Sequence, residues 1–184
     1  MSDRAALLVI DVQRGLVDGF EDDWADVLPV IAEQIAQARE AGAPIVFVQH
    51  CGATEDHPLH VDAPGFPLHP AMRADPDDLR VRKTWSDAFA ETDLYEKLRR
   101  SGARRVVVTG GQTEFCVDAT VRRAASLGFD VDLVADGHTT SDNDVLSRAA
   151  IINHHTQTLA ALACPGATIR VLPGHGLDWS QTAP

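Results

Sequence analysis

The stretch Ala5-Ala6-Leu7-Leu8-Val9-Ile10-Asp11 decides the fold. Six apolar residues run without a polar interruption and then meet an acid, a pattern that alternation cannot produce and that marks a strand buried on both faces. Comparable runs follow at Pro44-Ile45-Val46-Phe47-Val48, Arg105-Val106-Val107-Val108-Thr109, Val131-Asp132-Leu133-Val134 and Thr168-Ile169-Arg170-Val171-Leu172, with Arg80-Val81-Arg82-Lys83 as a shorter strand. Between them the spacing predicts helices over Trp24–Ala41, Leu94–Ser101, Val117–Leu127 and Val145–Ala163. The first three stop at Gly42, Gly102 and Gly128, and the last stops before Pro165-Gly166. Glycine or proline closing each helix before the next strand is βαβ punctuation. The expected architecture is an α/β fold in three layers: a mostly parallel sheet with right-handed crossovers and helices on both faces.

The 184 residues suit one domain, 1–184, large enough to bury a core without disulfides. Sixteen basic against 27 acidic residues leave a formal charge of −11, which argues against nucleic acid and anionic membrane surfaces as partners. No apolar run approaches the ~20 residues of a membrane span, and Met1-Ser2-Asp3-Arg4 lacks a signal-peptide pattern, so a cytoplasmic location is expected. The three cysteines, Cys51, Cys116 and Cys164, are widely spaced and form neither a disulfide framework nor a metal knuckle. Residues 51–79, rich in Pro, His, Asp and Gly, read as a long functional loop, with a floppy surface insertion as the alternative.

Open parallel sheets bind ligands outside the carboxyl ends of their strands. Those ends present Asp11-Val12-Gln13, Gln49-His50-Cys51, Lys83, and Thr109-Gly110-Gly111-Gln112-Thr113-Glu114-Phe115-Cys116. Cys116 follows a Gly-Gly turn at a helix start, where the positive helix end is expected to favour its thiolate and free N–H groups to receive an oxyanion. Asp11, at the rim of the core, is placed for acid/base work, and Lys83 for charge support of both. Each of the three has an ordinary use taken alone: a helix cap or turn acid, a surface lysine, a small buried hydrophobe. Their coincidence at one sheet edge carries the case. Gln13, Phe20, His50, Phe66, Trp85 and Phe115 are candidate pocket walls, whereas Phe89 and Phe129 read as core. His154-His155 point about 100° apart on one helix and read as structural or interfacial.

Leu8-Val9-Ile10-Asp11-Val12-Gln13, Arg82-Lys83-Thr84-Trp85-Ser86-Asp87-Ala88-Phe89 and Gly110-Gly111-Gln112-Thr113-Glu114-Phe115-Cys116-Val117 resemble, in order and spacing, the three signatures of the isochorismatase-like cysteine hydrolases. The resemblance implies a six-stranded parallel sheet between helices and a catalytic triad of Asp11, Lys83 and Cys116. It also implies a cis Gly111–Gln112 bond, with the N–H groups of Gln112 and Cys116 forming an oxyanion hole. A cysteine at position 116 places the chain beside the nicotinamidases and N-carbamoylsarcosine amidohydrolases. The branch that cleaves the vinyl ether of isochorismate carries another residue there. Nicotinamidases also hold a metal through an Asp-x-His pair and a further His; Gln49-His50-Cys51-Gly52 does not keep those ligands, and Asp56, His57 and His60 have the wrong spacing. Neither a metal nor another cofactor is therefore expected. The expected function is hydrolysis of a small amide, ureide or lactam through a thioester on Cys116, by a homo-oligomer of two or four subunits. A dinucleotide-binding domain is excluded because no G-x-G-x-x-G follows the first strand. A thiol redox enzyme lacks a CxxC pair, and a non-catalytic binding protein on the same fold leaves the triad without a use.

Overall fold

A computed structural model describes residues 4–179. Strands β1 (Arg4–Ile10), β2 (Ile45–His50), β3 (Leu79–Lys83), β4 (Ala103–Gly111), β5 (Asp130–Thr139) and β6 (Ile169–Leu172) form one sheet in the order β3-β2-β1-β4-β5-β6. Every neighbouring pair is parallel, so the sheet expected to be mostly parallel is wholly so among the described residues. The helices are α1 (Arg14–Val17), α2 (Glu21–Trp24), α3 (Val27–Glu40), α4 (Leu94–Arg100), α5 (Asp118–Ser126) and α6 (Arg148–Ala160).

β1 explains the three layers. Its successive side chains point to opposite faces. Ala6, Leu8 and Ile10 pack with residues of α4, α5 and α6, while Ala5, Leu7 and Val9 pack against Val27, Ile31, Ile35 and Ala38 of α3. Both faces are covered, which is why no polar residue interrupts the run. Phe89 and Phe129 lie in the first of these cores, stacked at 6.2 Å, as expected.

Three boundaries differ from expectation. The helix expected from Trp24 starts at Val27, because Pro29 has no N–H to donate to the carbonyl of Ala25 and tolerates only a helix's first turn. Trp24 instead ends α2 and donates its indole N–H to Leu16 O at 2.8 Å. The last helix starts at Arg148 rather than Val145, with the Ser147 hydroxyl accepting from Ala150 N, while the Asn143 side chain holds the amides of Val145 and Leu146 in a turn. β5 runs on to Thr139, with a register shift opposite β4 between Val108 and Gly110.

The loop from 51 to 78 is packed rather than floppy. Leu59, Phe66 and Met72 are buried, and a 3₁₀ turn spans Pro70–Met72. The side-chain amides of Gln13 and Gln49 both donate to Phe66 O, at 2.8 and 3.0 Å.

Candidate active site

Asp11 follows the last residue of β1 with φ +53, a left-handed conformation that Asp tolerates better than most residues. Its amide still donates to Val48 O at 2.9 Å. The chain thus turns at the sheet edge without losing its place on it. β4 leaves beside it. Gly110, at φ +116, pairs with Ile10, and a Cβ there would lie 2.0 Å from Ile10 O. Only glycine permits that approach, and the approach brings the residues after β4 alongside Asp11. The Gly111–Gln112 bond is cis. A π-helical turn, Thr113–Val117, follows, closing with Phe115 N and Val117 N each 3.2 Å from Gln112 O, and continues into α5. Cys116 lies in this turn.

Lys83 arrives from the far side of β2. It is the last residue of β3, opposite His50, and period 2 puts it on the same sheet face as the buried Val81, the face that carries α5. Arg80 and Arg82 take the other face, their guanidiniums over the rings of Phe47 and Phe66 at 5.7 and 5.4 Å. The Lys83 stem crosses the end of β2. Its ammonium stands 2.6 Å from Asp11 Oδ2 and donates to Cys116 Sγ at 3.0 Å. Asp11 and Lys83 are 1% and 2% exposed. The ammonium thus bridges the acid and the thiol singled out in the sequence, with Asp11 and Lys83 buried and Cys116 partly buried.

Burial works against the Lys83 ammonium, but the charge of Asp11 and the contacts to Asp11 and Cys116 together outweigh it and hold Lys83 above its ordinary value. The thiol departs from expectation. Burial first, and the Asp11 charge second, push Cys116 up to about 12, with Lys83 only partly opposing. The positive end of α5 does not decide the matter, because a buried carboxylate in contact outweighs a helix end. Cys116 is thereby held as a thiol.

The candidate pocket residues divide. Gln13 is not a wall: its amide donates to His50 O and Phe66 O at 3.0 and 2.8 Å and accepts from His50 N at 2.8 Å. It is fully buried and braces β2 and the long loop against β1. Phe66 is likewise buried, under Arg82. Phe20, Trp85 and Phe115 are 52%, 56% and 54% exposed, their rings at the surface. His50 is half-buried, and burial followed by the Lys83 charge holds it below its ordinary value, hence neutral. Its Nδ1 is buried without a hydrogen-bond partner, as is Asp11 Oδ1. Glu114, two residues before Cys116 and not anticipated, also buries an unpartnered Oε2. Among the described residues no cluster of three or more His, Cys, Asp or Glu is arranged to hold a metal. His57 Nδ1 instead accepts from Leu59 N at 3.0 Å. Cys51 and Cys164 are, like Cys116, free thiols. No helix of the described residues is long and apolar enough to cross a membrane.

The profile of the Isochorismatase domain matches residues 5–164. This chain belongs to the isochorismatase family. It is 42% identical over 142 residues to streptothricin hydrolase of Streptomyces noursei, covering 74% of this chain and 50% of that protein. The chain thus spans about half the length of the first curated relatives it matches. Nicotinamidase 3 of Arabidopsis thaliana is 29% identical, over 81% of this chain and 79% of that protein. A solved isochorismatase family protein superposes with a TM-score of 0.78 at 32% identity, over 92% of this chain and 99% of the other. The six-stranded parallel sheet with flanking helices is the fold of these neighbours.

Proposed function

We propose that this chain is a cysteine-dependent hydrolase of a small amide, ureide or lactam, acting through a thioester on Cys116. The observation that carries the reading is the Lys83 ammonium set between the Asp11 carboxylate and the Cys116 sulfur, at 2.6 and 3.0 Å. Kinship with a streptothricin hydrolase and a nicotinamidase supports it.

A thiol held up to about 12 is a weak nucleophile until its proton leaves. As Sγ adds to the substrate carbonyl, Asp11 takes that proton and Lys83 compensates the negative charge that passes through the site. The carbonyl oxygen becomes an oxyanion, received by the N–H groups of Gln112 and Cys116. Collapse breaks the C–N bond, with Asp11 returning the proton to the leaving nitrogen. Water then adds to the thioester, again giving a proton to Asp11, and releases the acid and the free thiol. One water is consumed and one C–N bond is cleaved per turnover. In this reading the half-buried His50, held below its ordinary value, is a candidate hydrogen-bonder for the substrate. The same reading carries a small-molecule substrate, a homo-oligomer and no metal step.

Release of ammonia or amine from nicotinamide, carbamoyl amino acids and cyclic lactams tests it, with Cys116→Ala alongside. Turnover that vanishes in the variant is the expected result. An active Cys116→Ala protein sinks the thioester, and silence of the parent across the panel sinks the amidohydrolase.

A further inference from the structure

One buried titratable group beneath the nucleophile turn has no part in the chemistry above. His138 lies on β5 opposite Gly110, 1% exposed. Its Nδ1 is 2.9 Å from Thr113 Oγ1 and its Nε2 is 3.4 Å from Thr156 Oγ1. Thr113 opens the turn that ends in Cys116 and Val117, and Thr156 belongs to α6. The ring therefore ties that turn to the sheet on one side and to a helix on the other. Burial, then the charge of the nearby His155, push His138 down to about 4, against a smaller opposing effect of Asp136. The imidazole is neutral, so one nitrogen donates and the other accepts. A hydroxyl serves either role, which lets both threonines pair with it. An imidazole placed in a buried strand without such partners would carry the full cost of two unmet hydrogen bonds.

We infer that His138 is a positioning residue: through Thr113 it holds the 112–117 turn in the form in which the Cys116 sulfur and the neighbouring amides meet one reacting carbonyl. The inference rests on the proposed thioester chemistry for its catalytic meaning and on the hydrogen bonds alone for its structural one. The side-chain partners of His138 are Thr113 and Thr156, so it acts through the turn. Its effect is selective: it acts on steps that build an oxyanion and not on the nucleophilicity of sulfur as such.

Two reagents separate these. p-Nitrophenyl acetate acylates a thiol through a tetrahedral oxyanion, whereas iodoacetamide alkylates it by direct displacement and builds none. Both rates are measured at Cys116 in a Cys51→Ser, Cys164→Ser background for the parent, His138→Leu, Thr113→Val and His138→Asn. The expected result is acylation slowed about tenfold or more in His138→Leu and Thr113→Val, with alkylation kept within about twofold. His138→Asn, whose side-chain amide stands near the place of Nδ1, restores most of the acylation rate. Thr113→Val is nearly isosteric and answers the question if His138→Leu does not fold. Acylation and alkylation falling together, or neither falling, overturns the inference. A parent that alkylates but takes no acetyl group sinks the proposed hydrolase instead. Amide hydrogen exchange over 112–117 then decides the positioning role: about tenfold faster exchange in Thr113→Val supports it, and unchanged exchange overturns it.

Discussion

Replacing Lys83 by methionine keeps the length of the side chain and removes its charge, leaving the buried Asp11 carboxyl without its cation. At 2.6 Å, with an effective dielectric of ~20, the attraction lost is about 6 kcal/mol. Desolvation of the ammonium offsets part of that, and breaking one side of a buried pair costs about 3–5 kcal/mol in net stability. A loss of about 4 kcal/mol in a domain of this size lowers the melting temperature by roughly 8–16 °C. Under the proposed thioester chemistry, turnover falls for a separate reason. At 3.0 Å the same arithmetic gives about 5.5 kcal/mol of attraction between Lys83 and a developing thiolate, and even half of that, discounted for relaxation, removes about a hundredfold from kcat/KM. The decisive comparison is the double variant Lys83→Met/Asp11→Asn, in which no unpaired charge is left and Asn tolerates the positive φ of position 11. It is expected to regain most of the stability and none of the activity. Urea and thermal unfolding of parent, single and double variants measure this. A Lys83→Met protein within about 1 kcal/mol of the parent, or a double variant no more stable than the single, refutes the account of Asp11–Lys83 as a buried, mutually dependent pair.

Three further outcomes are expected. Because burial and Asp11 raise the Cys116 thiol to about 12, its alkylation by iodoacetamide rises with pH well past the ordinary thiol range; Asp11→Asn, which removes one cause of the rise, reacts faster than the parent at pH 8, and a plateau near pH 8–9 in the parent contradicts the assigned shift. Gly110→Ala sets a methyl group 2.0 Å from Ile10 O at φ +116, so the ends of β1 and β4 must part; a loss of more than about 3 kcal/mol, or no soluble protein, is expected from circular dichroism and melting. Asp132, fully buried on β5, accepts from Arg105 at 2.5 Å and from Arg170 at 2.7 and 2.8 Å, so Asp132→Ala leaves the buried Arg105 without this counter-charge, with the Asp178 carbonyl still to donate to, and costs about 3–5 kcal/mol without touching the candidate site; unchanged urea unfolding counts against that ion pair.

The buried strands, their parallel pairing and the edge at which the chemistry gathers were legible because unbroken apolar runs admit few other uses, and glycine-stopped helices between them imply right-handed crossovers, whereas the order of the strands in the sheet came from the structure. Asp11, Lys83 and Cys116 were legible as residues at strand ends and as a family pattern. Their contact was not, since nothing in Arg80-Val81-Arg82-Lys83 says that the lysine stem crosses a neighbouring strand. Gln13 read as a pocket residue because it follows Asp11, yet its three backbone hydrogen bonds come from β2 and from a loop fifty residues away. Pro29, in view throughout, was the signal for the later start of α3. His138 stood in a Gly-His-Thr stretch at the polar end of a strand and offered no periodic signal.

What the sequence determined by itself was the menu: buried strands, their chain order, and an acid, a lysine and a cysteine each placed where a strand ends. Tertiary structure decided the ionisation of the group that matters most. Local reasoning predicts a thiol eased toward its anion by a helix end. Burial beside Asp11 reverses the sign and holds Cys116 as a thiol, up to about 12. The reason is range and direction: apolar patterning is a property of consecutive residues, whereas desolvation and charge act between Asp11, Lys83 and Cys116, which meet only when β3, β1 and the turn after β4 are packed into one sheet edge.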